Sequence, residues 1–335
     1  MHMSDALLSP VVGGIFWTVS AVTIGISAKK ITSENDIAKT PLMGVMGAFI
    51  FAAQMINFAI PGTGSSGHIG GGLLLTILLG PWRAFLTLAS VLVVQCLFFA
   101  DGGLLALGCN IFNLAFFPAF IAYPFIYRPI MKKGFSGGKL LLATIAAAVT
   151  SLQFGAFSVV IQTVLSGNSD LPFTTFVLFM QPIHFVIGIV EGVITWGVLV
   201  FVRRIQPSLL SDEPTHAVAK PLAVILTIIA LATGGILSYA ASSDPDGLEW
   251  SVAKATHGGE VSSDNPFVTA LKRLQDKTAF LPDYAFKEST GKEKPHPMSA
   301  LGNSVAGISG TIIVLLTALG LGIVIRKRSR QTKPL

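Results

Sequence analysis

Charged residues are what this sequence has least of. Asp, Glu, Lys and Arg make up 12% of its 335 residues, about half the share found in soluble globular domains, so a water-soluble globular chain is excluded. Cysteine is nearly missing as well. Cys96 and Cys109 form neither a CxxC pair nor a zinc-ligand spacing, which excludes a thiolate metal centre or a redox dithiol and leaves packing as their role. No lysine completes a phosphate-binding loop: Gly62 and Gly67 have the Walker A interval, but His68 stands in place of the lysine and Ile69 in place of Ser or Thr, so ATP binding is excluded. No HExxH pattern is present. No basic stretch precedes the first apolar run, where Asp5 stands instead, so a cleaved secretory signal is not expected.

Long apolar runs take up the rest. The chain is 52% hydrophobic with a mean hydropathy of +0.70, and runs near the roughly twenty residues that cross a bilayer recur along it. Nine spans are expected, near 10–28, 41–60, 69–81, 84–100, 104–127, 138–166, 176–202, 221–241 and 304–325. The third is short and opens on Gly70, Gly71 and Gly72. Non-helical backbone at membrane depth is tolerated only where protein buries it or it lines a cavity, so something is expected to bind there. Lys29, Lys30, Lys39, Arg83, Arg128, Lys132, Lys133, Lys139, Arg203, Arg204, Lys220 and the basic tail from Arg326 to Lys333 all fall on alternate loops. Positive charge gathers on the cytoplasmic side, which places the N-terminus outside and the C-terminus inside the cell's inner (plasma) membrane. The net charge of +6 follows from this topology and gives no reason to invoke nucleic acid. The lipid bilayer is the expected surrounding.

The fold class is therefore an all-α integral membrane protein in two parts. Residues 1–204 form a seven-span helical bundle, 205–220 a polar cytoplasmic linker, and 221–335 a two-span hairpin around an extracytoplasmic loop at 242–303.

Few residues in this apolar chain can carry chemistry. At the start, the Met1 α-amine, the amide nitrogen of His2 and the His2 imidazole can close a five-membered and a six-membered chelate ring around one ion. That leaves one in-plane position for another nitrogen. Flat nitrogen donors suit Ni(II) and Cu(II) over Zn, Mg or Ca; as a plain alternative, His2 belongs to an unordered tail. His68 lies in the glycine-rich segment from Pro61 to Gly72, on the same face as the N-terminus, where glycine permits close backbone approach. Asp101-Gly102-Gly103 precedes Asn110, an amide inside an apolar span, where helix packing or ligation both account for it. His184 and Glu191 lie on nearly one helical face about 10 Å apart along the axis. Ionisable groups inside a membrane are candidates for function, and here second-rank support of the ligands or contacts between helices are the leading roles. Asp244, Asp246 and Glu249 read as a solvated type I turn able to attract cations, and His257 and His296 as solvent-facing.

Taken together, Met-His-x-x-Asp5, Gly-His68-Ile-Gly-Gly-Gly, Asp101-Gly-Gly-Leu, Leu-Gly-Cys-Asn110 and His184-x-x-x-Gly-x-x-Glu191-Gly resemble the substrate-binding M component of nickel/cobalt energy-coupling-factor transporters, over roughly 1–204. Pro-Asp-Gly-Leu-Glu-Trp in the last hairpin resembles the N-type component fused behind it in nickel versions. The resemblance implies a square-planar site of the Met1 amine, the His2 amide and imidazole nitrogens and the His68 imidazole; Asp5, Asp101, Asn110, His184 and Glu191 are the candidates to support it from behind. It implies Ni2+ as substrate, with Co2+ next, and no enzymatic activity in the chain itself. It further implies two cytoplasmic ABC-type ATPase subunits and a transmembrane coupling protein as partners, and a hairpin that assists metal loading. Ala6 departs from the glycine common at that position in the family. Two other readings compete: an intramembrane metallohydrolase using His184 and Glu191, which lacks a nucleophile beside a base, and a metal sensor signalling through 242–303.

Overall fold

A computed structural model of the chain describes residues 2–33, 39–132, 134, 136–168, 171–210, 220–258, 261–286 and 296–331. Eleven helices carry the architecture among the described residues: α1 (Pro10–Ser33), α2 (Lys39–Gln54), α3 (Gly72–Leu79), α4 (Pro81–Phe99), α5 (Leu107–Met131), α6 (Gly137–Ser166), α7 (Phe173–Ile205), α8 (Lys220–Gly235), α9 (Gly247–Ala255), α10 (Pro266–Thr278) and α11 (His296–Gln331). Between α2 and α3 a small hairpin pairs β1 (Phe58–Ile60) with β2 (Ser65–Gly67), antiparallel, with Phe58 opposite Gly67. Apart from this hairpin the fold is helical.

Seven helical segments are long and apolar enough to cross a membrane: α1, α4, α5, α6, α7, α11 and Lys220–Ala240, which prolongs α8. The expected runs at 41–60 and 69–81 become α2 and α3, of 16 and 8 residues. Burial explains how they stay apolar at such lengths. α2 buries Leu42, Met46, Ile50 and Phe51 completely or almost so, and α3 is only about 12 Å long. Helix α1 behaves differently, exposing Val11, Ile15, Val22 and Ile26.

Small residues set how closely the helices approach. A Cβ on Gly192 would lie 2.4 Å from the Ile145 Cα and one on Gly188 2.8 Å from the Val149 Cα, so α7 lies against α6 backbone to backbone. In the last hairpin, a Cβ on Gly307 would sit 1.9 Å from the Gly234 carbonyl oxygen. α11 also packs on α2, where a Cβ on Gly44 would meet the Leu315 carbonyl oxygen at 2.9 Å. The hairpin is thus joined to the bundle through its helices as well as through its loop. In α5, residues Phe112–Tyr127 adopt the wider π-helical turn around Pro118 and Pro124. Proline has no N–H and clashes with the preceding turn, and a wider turn accommodates both.

Candidate metal site

The N-terminal tail is held by its third residue. Met3 N donates to Asn110 Oδ1 at 2.8 Å, and the Met3 carbonyl accepts from Asn110 Nδ2 at 3.3 Å and from Gly103 N at 2.9 Å. Its side chain is fully buried, with Asn113 Nδ2 3.6 Å from the thioether sulfur. Asn113 is itself locked to Gln162 by two amide hydrogen bonds of 2.8 and 2.9 Å. Asp5 Oδ1 accepts from Ala106 N at 2.9 Å, which satisfies a donor at the N-terminal end of α5. A Cβ on Gly103 would fall 1.8 Å from Asp5 Oδ1, so that position needs glycine for the tail to lie where it does. Asp5 and Asn110 therefore fasten the tail.

The opposite wall descends from β2. After His68 the chain runs through Ile69 and Gly70 to Gly71, with φ +75°, and into α3. Glu191 reaches over from α7 and accepts from Gly70 N at 2.7 Å and Gly71 N at 3.1 Å. Gln54 Nε2 donates to the Gly70 carbonyl at 2.9 Å and is backed by Gln95 at 2.9 Å. A buried carboxylate is costly unless it is hydrogen-bonded, and these two N–H groups supply the bonds. Glu191 thereby braces the backbone that follows His68.

Between the two walls the imidazoles of His2 and His68 stack, ring centres 5.2 Å apart and planes inclined by 19°. Burial lowers the pKa of His2 to about 3 and that of His68 to about 4, so both rings are neutral at neutral pH and each has a nitrogen lone pair for a metal. His68 Nδ1 lies 3.1 Å from the Ile69 carbonyl oxygen; a carbonyl only accepts, so Nδ1 carries the hydrogen and Nε2 keeps its lone pair. Asp101 Oδ1 lies 3.4 Å from His2 Nδ1, and burial raises the pKa of Asp101. His184 lines a small cavity with His68. Met1 lies outside the described residues. Among the described residues no three His, Cys, Asp or Glu side chains gather in a metal-binding group.

The roof of the site comes from the last hairpin, and this the sequence reading missed. Asp246 does not sit in a solvated turn. It caps α9, accepting from Leu248 N and Glu249 N at 2.8 Å each, and it borders the cavity next to His68 and His184. The segment is moored to β2: Ser66 N donates to the Pro245 carbonyl at 2.8 Å, Ser66 Oγ to the Asp244 carbonyl at 2.7 Å, and Trp250 Nε1 to the Thr63 carbonyl at 3.0 Å. Tyr284 donates its hydroxyl to Asp101 Oδ2, and Gln275 Nε2 donates to the Gly102 carbonyl at 2.7 Å. Local pattern held no signal for Tyr284 or Gln275. His257 is exposed as expected, and the side chain of His296 lies outside the described residues.

Residues 2–209 match the CbiM family, described as the cobalt uptake substrate-specific transmembrane region, and residues 220–327 match the PDGLE domain. The chain belongs to the CbiM family. A putative fused nickel transport protein NikMN of Archaeoglobus fulgidus is 34% identical over 325 residues, covering 96% of this chain and 98% of that protein. The fused nickel transport protein NikMN of Rhodobacter capsulatus is 26% identical, covering 85% and 88%. A solved structure of a transition metal transporter is 31% identical with a TM-score of 0.55, covering 62% of this chain and 95% of that one. The chain is thus the substrate-specific component of a nickel/cobalt uptake transporter, a multi-pass membrane protein of a transport family and not an enzyme. A CbiM region followed by a PDGLE domain also accounts for Pro245-Asp246-Gly247-Leu248-Glu249, the five residues that form the roof beside His68 and His184.

Proposed function

We propose that the chain binds its ion in a planar, all-nitrogen site made by the Met1 α-amine, the His2 amide and imidazole nitrogens and the His68 imidazole, with Ni2+ as first substrate and Co2+ as second. The observation that carries this reading is the pair of buried, neutral imidazoles facing each other beside a tail clamped at the next residue, Met3. Two side chains are too few for a tight site, and the tail offers main-chain nitrogens as further donors. With metal–nitrogen bonds of about 2 Å, two imidazoles on one ion have ring centres roughly 4.5 to 6.5 Å apart, and the separation of 5.2 Å falls in that range. Planar nitrogen donors favour nickel, in keeping with the names of the fused relatives. Binding releases protons from the amine and the amide, so affinity falls as pH drops.

In this reading residues 1–204 are the metal-binding bundle, 205–220 a cytoplasmic linker and 221–335 the N-type hairpin. The site faces the extracytoplasmic side and the C-terminus the cytoplasm. Two ATPase subunits and a transmembrane coupling protein supply the energy, and the bundle tips against the coupling protein to open the site inward. Calorimetric Ni2+ titration of the purified chain tests the site. Extra residues ahead of Met1, His2→Ala and His68→Ala are each expected to abolish high-affinity binding. Unchanged affinity in any of the three rejects the ligand set.

A further inference from the structure

We infer that Gln95 decides which nitrogen of the His2 ring carries hydrogen: its side-chain carbonyl accepts from His2 Nε2, which leaves Nδ1 with the lone pair, and Gln54 holds Gln95 in that sense. Gln95 and Gln54 are thus positioning residues for His2, an inference that rests on the reading above that the chain end binds the ion.

The chelate dictates which ring nitrogen must be bare. Around the ion, the His2 amide nitrogen, Cα, Cβ, Cγ and Nδ1 close the six-membered ring, whereas Nε2 lies on the far side of the imidazole and cannot. A neutral imidazole has one hydrogen, which must then sit on Nε2, and the bond made by that N–H sets the tautomer. Nε2 is buried. A buried N–H needs an acceptor.

Two buried amides supply one, and their sense is forced link by link. The Gly70 carbonyl only accepts, so the Gln54 atom 2.9 Å from it is Nε2. Gln54 Oε1 is thereby turned toward Gln95, whose Nε2 donates to it at 2.9 Å. That leaves Gln95 Oε1 pointing away from Gln54. Neither Gln95 Oε1 nor His2 Nε2 has another partner, and the Gln95 side chain acts on the His2 ring as a hydrogen-bonding group. A donor and an acceptor, both buried and otherwise unmet, answer each other. With hydrogen on Nδ1 both would stay unmet, and Asp101 Oδ1, 3.4 Å from Nδ1, is beyond the roughly 3.2 Å limit of a good N–H···O bond.

The same relay ties the His2 ring to the His68 loop. The peptide that joins Gly70 to Gly71 accepts from Gln54 through its carbonyl and donates its N–H to Glu191 at 3.1 Å. Gln54 ends α2 and Gln95 lies in α4, 6% and 1% exposed. Packing at such positions needs no amide, and a polarity that runs from a fixed carbonyl to a ligand ring does. Metal-binding histidines have their free N–H held in this way.

Nitrogen-15 NMR of the histidine rings in the full metal-free chain, in detergent, reads the hydrogen directly, with the His2 signals assigned by their loss in His2→Ala. The parent chain is expected to hold it on Nε2. Hydrogen on Nδ1, or an even mixture, overturns the proposal without any substitution in the core. Gln95→Met keeps the length and removes the acceptor; it should turn His2 into a mixture of tautomers and weaken Ni2+ binding roughly tenfold or more, the scale of a lost orienting partner. Gln54→Met frees Gln95 to turn over and should act in the same direction. Gln153→Met, which breaks the bond from α6 to the Gln181 carbonyl on α7, should leave tautomer and affinity at parent values. A folded Gln95→Met chain with parent tautomer and affinity overturns the proposal, and if that variant does not fold, the parent spectrum decides. Should His2→Ala leave Ni2+ affinity unchanged, the terminal-site reading fails, while the tautomer of the metal-free ring still decides this one.

Discussion

His2 and His68 are held neutral by burial, and that has a measurable price in acid. Their folded pKa values, about 3 and about 4, lie below the ordinary 6.5, so between these limits the unfolded chain binds more protons than the folded one. Stability from this pair is complete above pH 6.5 and is lost progressively as pH falls from there toward the folded values. In metal-free protein the thermal midpoint should therefore drop more steeply from pH 7 to pH 5 in the parent chain than in a chain carrying both His2→Ala and His68→Ala. Equal slopes would mean that the rings are solvated. Both histidines were legible in the sequence because each had a local marker, a chain terminus for one and a run of glycines for the other. Asn110 and Glu191 were legible only as polar groups in apolar runs. That their bonds go to Met3 and to Gly70 and Gly71 depends on contacts across more than a hundred residues, which no local pattern records.

Among the elements, the short helix α3 decides where His68 stands. Its first turn has N–H groups without helical partners, and the Glu191 carboxylate meets the two immediately ahead of it, on Gly70 and Gly71. Glu191→Gln would turn an amide N–H toward one of them. A loss of about 1–3 kcal/mol of stability is expected, the cost of a buried donor left unmet, together with weaker Ni2+ binding through a displaced His68. Thermal unfolding and Ni2+ titration of the variant check both, and a variant with parent values would show that α3 holds its place without the carboxylate. The sequence signalled α3 as a short apolar run opened by glycines, which held, but counted it among the nine spans, whereas its eight residues are too few to cross. It gave no sign that α2, expected at 41–60, would stop at Gln54, since Met55 and Ile56 are as apolar as the helix, yet the chain leaves it there and enters β1 at Phe58.

For the whole molecule, the site is closed by a part of the chain nearly two hundred residues away. Ser66 and Asp244 are 178 positions apart, and the Pro-Asp-Gly pattern reads locally as a turn, so the roof could not be recognised before the fold was known. The Gly234 and Gly307 crossing holds the two helices of the hairpin against each other. Gly307→Leu should force α8 and α11 apart, lift the roof and speed Ni2+ release. Gly320→Leu on the same helix, where a Cβ meets nothing within 4 Å, should leave release unchanged, and chelator-chase kinetics compare the two. Equal release rates would detach the hairpin from retention of the ion. The clamp at Met3 has a different kind of consequence. Because both its N–H and its carbonyl are engaged, the tail has a fixed zero point, and the imidazole of residue 2 is placed by counting back one residue from it. One inserted residue would shift that ring by about 3.5 Å and, in extended chain, turn it to the opposite side. The tail is thus a ruler one residue long, and what it measures off is the distance from the Met3 clamp to the ring of His2.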